Sequence, residues 1–284
     1  MINAANTLWH YTDVYGFHGI VASNRLRLAD ARFLNDRTER TYGANVIRQF
    51  IERELTSKDT KLPRDILDPI ERELDRPQDA NLFICSFSER NSTMSQWERY
   101  AAHGFGYCLG FDRRRLQYCL DRTDVELRQL IYGRKDQREA ISRRVTELAR
   151  EFDLSGKASA APRTVTRIQV LSTAIAIELE ELALQLKTPD FRDEKEWRLI
   201  REVRDVENIG ATPPEFAPRG SLVKPYVELT FTEPGTSSCL PLVAVVCGPK
   251  LEGEVSVASA RYFLARHGHH TASVEHSKLH AIWR

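Results

Sequence analysis

The sequence predicts an α+β fold carrying a long helical insertion, and three observations predict it. Short alternating or aromatic-rich segments, among them Leu8–Thr12 and Asn81–Ser88, read as strands. From Asp136 to Lys187 the pattern changes to two long amphipathic helices, broken near Ser155-Gly156 and Pro162. Strand patterns then resume from Glu196 onward. Because strands flank the helical span, it reads as an insertion at about residues 134–190 within one domain covering residues 1–284. That length can bury a sizeable core, in one elaborated domain or two modest ones.

The elements follow in order. Leu8-Trp-His-Tyr-Thr12 alternates and is aromatic, hence a short strand, and Asp13 caps a short helix reaching about Ser23. Leu26–Ala29 is a second strand. Asp36–Thr56 spaces Val46, Ile47, Phe50, Ile51 and Leu55 as a helix does, and Pro63–Leu74 reads as another helix opened by proline. Asn81–Ser88 is a strand, followed by a polar turn and a helix from about Ser92 that Gly104 ends. Tyr107–Phe111 and Val125–Tyr132 continue the sheet. Beyond the helical span, strands are expected at Glu196–Val203, Lys224–Phe231, Leu240–Val246 and Ala272–Trp283, with a helix from about Glu252 to His267. Asn208–Gly220, rich in proline and glycine, reads as a loop that borders or covers a site.

Composition narrows the function classes. Lys and Arg number 41 against 40 Asp and Glu, a net charge of +1, so no global field draws the chain to nucleic acid or an acidic membrane. Five cysteines (Cys85, Cys108, Cys119, Cys239, Cys247) show no C-x-x-C spacing and read as reduced, mostly buried thiols. The first residues lack a basic segment followed by an apolar core, so no secretion signal is read. The longest apolar run, Leu240–Cys247, is far short of the ~20 residues that cross a bilayer. A cytoplasmic protein with no membrane partner is the expectation.

Phe191-Arg-Asp-Glu-Lys-Glu-Trp-Arg-Leu-Ile200 is the segment that most suggests chemistry. On a strand, Trp197 and Leu199 take one face and Glu194, Glu196 and Arg198 the other. Neighbouring carboxylates repel unless one is protonated or a cation stands between them, a pattern of acid/base or oxocarbenium-stabilising sites. The alternative is a structural Glu196 paired with an arginine. His10, sharing a face with Leu8 and Thr12, can bond a sugar hydroxyl or be a satisfied structural residue. Ser86 and Ser88 share the face of their strand opposite Phe83, Cys85 and Phe87. Asn35-Asp36 with Glu39 at capping-box distance reads as a helix cap. His267, His269, His270, His276 and His280 crowd the C-terminal end without a recognised ligand spacing, so no metal is assigned. P-loop, dinucleotide-fold and nucleophile-elbow motifs are absent, which disfavours those enzymes, and the scattered acids disfavour a metal-dependent nuclease.

In order, Leu8-Trp-His-Tyr-Thr12, Gly19–Leu26, Phe33-Leu-Asn-Asp36, Ile84–Glu89, Ser95-Gln-Trp97, Tyr100-Ala101, Gly106–Phe111 and Glu194-Lys-Glu-Trp-Arg198 resemble a widespread bacterial family, domain of unknown function 2971. The likeness spans nearly the whole chain, through Val243–Lys250, and departs at Arg37-Thr38, where proline and an aromatic are expected. The layout is also similar, more weakly, to ADP-ribosyltransferases: a His-x-Thr strand before a short helix, a strand ending Ser-x-Ser, and a late Glu-x-Glu strand. That second resemblance implies split mixed β-sheets around a cleft that binds NAD as substrate. By position, His10 and Thr12 would hold the adenosine ribose or pyrophosphate, and Ser86 and Ser88 would border the nicotinamide ribose. Glu196 would be catalytic and Glu194 would act on an incoming nucleophile. Tyr11, Trp97 or Tyr100 would stack on a ring, and Arg25, Arg32 or Arg198 would meet the pyrophosphate. The activity implied is mono-ADP-ribosyl transfer or NAD hydrolysis, in a toxin or phage-defence effector, with the acceptor, protein or nucleic acid, left open. The alternative is a non-catalytic ligand-sensing or interaction module on the same scaffold.

Overall fold

A computed structural model describes residues 6–33, 37–60, 64–74, 81–121, 123–155, 165–203, 214–219, 221–231 and 240–279. In chain order the elements are β1 (Thr7–Thr12), α1 (Val14–Ser23), β2 (Arg25–Asp30), α2 (Arg37–Thr56), α3 (Arg64–Leu74), β3 (Asn81–Ser88), α4 (Met94–Tyr100), β4 (Tyr107–Asp112), α5 (Arg113–Leu120) and β5 (Val125–Gln129). They continue with α6 (Arg134–Ser155), α7 (Val165–Ala183), β6 (Glu196–Val203), β7 (Glu215–Arg219), β8 (Leu222–Thr230), β9 (Leu242–Cys247), α8 (Gly253–Arg266) and β10 (Ser273–His276). The chain forms two compact units. One comprises Met1–Phe33, Asn81–Gln129 and Asp193–Arg284, and the other Leu34–Ala80 and Leu130–Arg192.

The first unit is a mixed, open ten-stranded sheet with helices. Its strands run β10-β9-β4-β1-β3-β2-β8-β7, with β6 also on β3 and β5 on β6. All pairs are antiparallel except β9 with β10. The pairings join the strands into one sheet, where two were expected, because β3 carries neighbours unequally. β6 pairs along its whole length, from Asn81↔Val203 to Ser88↔Glu196. β1 meets β3 only at Trp9↔Ser88, and β2 meets it at Ala29↔Ile84 and Asp30↔Phe83. A seam therefore opens beside Cys85, Ser86 and Phe87.

Alternation fixes what each face of the sheet does. Leu8, Leu28, Phe83, Phe87, Leu109, Phe111, Leu199 and Val245 build the larger core. Trp9, Tyr11, Cys108 and Val246 turn to the opposite face and pack with Trp97 and Ala101. Local chemistry sets the helix starts. Asp13 Oδ1 accepts from the Gly16 amide at 2.7 Å and opens α1, which Asn24, at φ 54°, closes in the left-handed region. Asp112 Oδ1 accepts from the Arg115 amide at 2.9 Å and opens α5, a helix the sequence reading lacked.

The second unit is helical. Ile47, Ile51, Leu67, Ile70, Ile141, Val145, Ile175 and Leu179 pack α2, α3, α6 and α7 together. Gly43 of α2 lies where an added Cβ would stand 2.0 Å from the Ala183 carbonyl oxygen, so the close approach of α2 to the end of α7 needs glycine. Two expectations are revised by sheet pairing. Residues 215–219, placed in a loop, form β7 at the sheet edge, where Pro218 is tolerated because an edge strand can leave its missing N–H unpaired. β10 ends at His276. The Asn35-Asp36 cap, residues 208–213, Cys239, His280 and the side chain of Glu39 lie outside the described residues.

Candidate functional site

The strand bearing the candidate carboxylates starts two residues later than alternation from Glu194 requires. Pro189–Glu194 is a 3-10 segment, and Lys195 follows at φ 43°, so Glu194 is not on the strand. Glu196 and Arg198 do share a face of β6, opposite Ser88 and Ser86 of β3 in register. Because Trp9 pairs with Ser88, Trp9 and Tyr11 lie on that face too. His10 and Thr12 alternate to the other face, where the His10 ring sits 5.7 Å from Phe87. The candidates thus gather on three adjacent strands but on both sides of the sheet.

His10 works at the seam. Its Nδ1 lies 2.8 Å from the Ser86 carbonyl oxygen, which can only accept, so Nδ1 carries the proton of that bond. The bond satisfies a strand carbonyl that β1 leaves without a ladder partner. Thr12 is buried at the end of β1.

Both carboxylates are buried and both have an arginine. Arg198 Nε donates to Glu196 Oε1 at 2.7 Å and Nη2 to Oε2 at 3.3 Å, with side chains 3% and 7% exposed. Arg99 of α4, half exposed, reaches Glu194 Oε1 at 3.5 Å. The repulsion expected between two close acids is thereby relieved by one cation each. Ser88 Oγ donates to the Glu194 carbonyl at 2.6 Å and accepts from the Arg90 amide at 3.1 Å, which ties the end of β3 to the entry of β6. Glu89 completes that entry: it accepts from Trp197 Nε1 and Gln129 Nε2, each at 3.1 Å, and lies 3.6 Å from Lys195 Nζ. Sequence reasoning missed Arg99 and Glu89. The signals for Glu89 were its place just after a strand ending in Ser-x-Ser and its presence in the segment Ile84–Glu89 that carries the family resemblance.

The remaining candidates have structural partners. The Tyr11 hydroxyl donates to the Arg90 carbonyl at 2.8 Å and accepts from the Thr93 amide at 3.3 Å, and its ring stands edge-on to Trp97 at 5.1 Å. Burial raises its pKa, reinforced by Cys108. Trp97 is fully buried, and Tyr100 packs against the same cluster. Arg25 pairs with Glu228 at 2.5 Å. Arg32 clasps Asp30 through Nε and Nη2; those bonds raise its pKa and keep the fully buried Asp30 carboxylate compensated. Of the C-terminal histidines, His269 Nε2 meets Asn24 Oδ1 at 2.7 Å, His276 Nε2 meets the Leu251 carbonyl at 3.0 Å, and His267 packs on Phe263. Among the described residues no three metal-ligating side chains converge, and no helix is long and apolar enough to cross a membrane.

The family described as protein of unknown function (DUF2971) matches residues 96–199. The chain resembles that family over this stretch, from α4 into β6, so Arg99, Glu194, Glu196 and Arg198 fall inside the match while His10, Ser86 and Ser88 fall before it. No curated protein and no solved structure matches the chain.

Proposed function

We propose that the chain is an ADP-ribosyltransferase-like enzyme that takes NAD as substrate at the seam beside β3, in a cytoplasmic toxin or defence setting. One observation carries the reading: Ser88 stands opposite Glu196 and Ser86 opposite Arg198, while His10 reaches across the seam to Ser86. In the reaction the bond from the ribose C1′ to the nicotinamide nitrogen breaks, and its electron pair leaves with nicotinamide. The carboxylate of Glu196 opposes the positive charge developing on the sugar. An acceptor hydroxyl, amine or water then attacks C1′, and its proton passes to Glu194. On the face of Glu196, Ser86 and Ser88 orient the ribose and Arg198 meets the polar groups of NAD beside Tyr11 and Tyr100, whereas His10 and Thr12 lie on the opposite face and take part only through the opening beside Ser86. For this chemistry Glu196 must first exchange its bond to Arg198 for one to the ribose.

A second reading, a non-catalytic ligand-sensing or interaction module, is favoured by that same pair. Arg198 engages both oxygens of Glu196, and the two side chains are nearly inaccessible. In the state described here Glu196 is therefore a structural ion-pair partner.

Nicotinamide release from NAD separates the two readings, measured on wild type, Glu196→Gln and Glu194→Gln with a cell lysate supplied as acceptor mixture. Release lost in Glu196→Gln establishes the enzyme. No release by wild type, together with no NAD binding by calorimetry, removes the enzyme reading and leaves the module.

A further inference from the structure

We infer that the helical unit binds a phosphorylated small molecule of nucleotide size in the cleft between α2 and α6. The cleft encloses about 740 Å3, inside the range of ~300–1,000 Å3 typical of small-ligand sites. Its wall joins an apolar surface, Tyr42, Val46 and Phe50, to three arginines: Arg53 from α2 and Arg134 and Arg138 from α6. Among the described residues one acid, Glu52, lines it with them. The arginines of α6 that do form ion pairs lie elsewhere, as Arg144 does with Glu178; among the described residues Arg53, Arg134 and Arg138 pair with no carboxylate.

The placement of these cations runs against local preference. Arg134 and Arg138 stand one turn apart, where like charges repel, and both lie in the first turns of α6, where the helix dipole disfavours positive charge. A chain that keeps them there against both effects gains from positive potential in the cleft. The wall behind them is fixed. Gln137, fully buried between them, donates from Nε2 to the carbonyls of Ile131 at 2.8 Å and Lys187 at 2.9 Å. Its Oε1 is left to accept from the Tyr42 hydroxyl at 3.2 Å, which holds the tyrosine ring in place. Only this wall is fixed: Arg53, Arg134 and Arg138 are exposed and pay an ordering cost on binding.

Phosphate fits this chemistry better than a carboxylate. Arginine forks match phosphate oxygens in pairs, and three of them from two helices suit a group carrying more than one negative charge. The apolar side of the cleft then receives the ring of a base. A polyanion such as nucleic acid has less to hold it, since the whole chain carries only +1. The site shares no residue with the β3 seam, so it stands or falls independently of the NAD reading.

Calorimetry on the full chain in about 0.15 M salt, with ATP, tripolyphosphate and adenosine as probes, tests the assignment. ATP should bind saturably at one site, tripolyphosphate more weakly, and adenosine not measurably. The double variant R134Q/R138Q should weaken ATP by about tenfold or more, the loss of charge-assisted bonds. R53Q on the opposite helix should weaken it likewise, and R143Q, exposed on α6 outside the cleft, should leave it unchanged. Absence of saturable ATP binding overturns the proposal, as does equal affinity in wild type and in R53Q with unchanged helical circular dichroism. Tighter binding of single-stranded RNA that displaces ATP replaces the small-molecule assignment with a nucleic-acid one.

Discussion

Replacing Arg198 by methionine leaves the Glu196 carboxylate inside the protein without its counter-charge. The pair it breaks has bonds of 2.7 and 3.3 Å and side chains 3% and 7% exposed, so water cannot take over the role of the guanidinium. Removing one partner of such a pair costs about 3–5 kcal/mol. At ~2–4 °C per kcal/mol for a protein of this size, the apparent Tm should fall by roughly 6–20 °C. Glu196→Leu should cost a similar amount by stranding Arg198. Combining the two changes removes both charges at once and should recover most of the loss, because an apolar replacement of a buried pair is often neutral or better. Urea titration at pH 7.5 in low and high salt measures this, and the loss should hardly change with salt because the pair is shielded from solvent. A loss below about 1 kcal/mol for both single variants would refute the reasoning. It would mean that the pair opens readily in solution, which is what catalysis by Glu196 requires.

Four further outcomes are expected. His269 has its pKa held below the ordinary 6.5 by burial, with His267 and His270 adding to the effect; as pH falls the unfolded chain takes the proton first, so stability is full above about 6.5 and declines towards the lowered folded-state value. Urea midpoints from pH 7.5 to 5 should show that decline, and His269→Gln should flatten it. Burial pushes the Cys85 thiol up to about 12 and also raises Cys108, so neither should be alkylated at pH 8 in the time that labels both in urea, as read by peptide mapping. Gly43→Ala would drive a Cβ against the Ala183 backbone, 2.0 Å from its oxygen, and should cost about 1–3 kcal/mol or more by thermal melts followed at a helical wavelength. Gly19→Ala in α1, with nothing within 4 Å, should be neutral or stabilising by the same measurement.

The sequence was most legible where periodicity and burial agree. Asn81–Ser88 and Glu196–Val203 are strands with the expected limits, and alternation correctly separated Glu196 and Arg198 from Trp197 and Leu199. Helices recur where helical spacing marked them, as α2, α6 and α7. What stayed hidden is non-local. That β3 shares an edge between β1 and β2 depends on pairing between distant segments, and no local pattern encodes it. Glu194 was misplaced onto the strand because one residue, Lys195 at φ 43°, breaks an alternation that residue types alone continue. α5 was lost because Arg113-Arg-Arg-Leu-Gln-Tyr offers few apolar positions, although Leu116, Cys119 and Leu120 are buried. Arg99 finds Glu194 from another element altogether. Arg25 and Arg32 looked available in sequence, and their carboxylate partners, Glu228 and Asp30, became evident only in three dimensions.

The unequal neighbours of β3 also set a timetable for the growing chain. On the ribosome β1 to β5 emerge in sequence, yet the partner that takes the whole of one β3 edge, β6, lies beyond residues 130–192, which belong to the other unit. From the end of β3 at Ser88 to the start of β6 at Glu196, ~5–20 residues per second makes a wait of roughly 5–22 s, during which an apolar strand already synthesised, Leu82-Phe-Ile-Cys-Ser-Phe87, lacks its longest ladder. Such an unsatisfied edge invites pairing with other chains. Slow translation through residues 130–192 would lengthen the hazard, and chaperone dependence during synthesis should follow the speed of that segment rather than the stability of the finished fold.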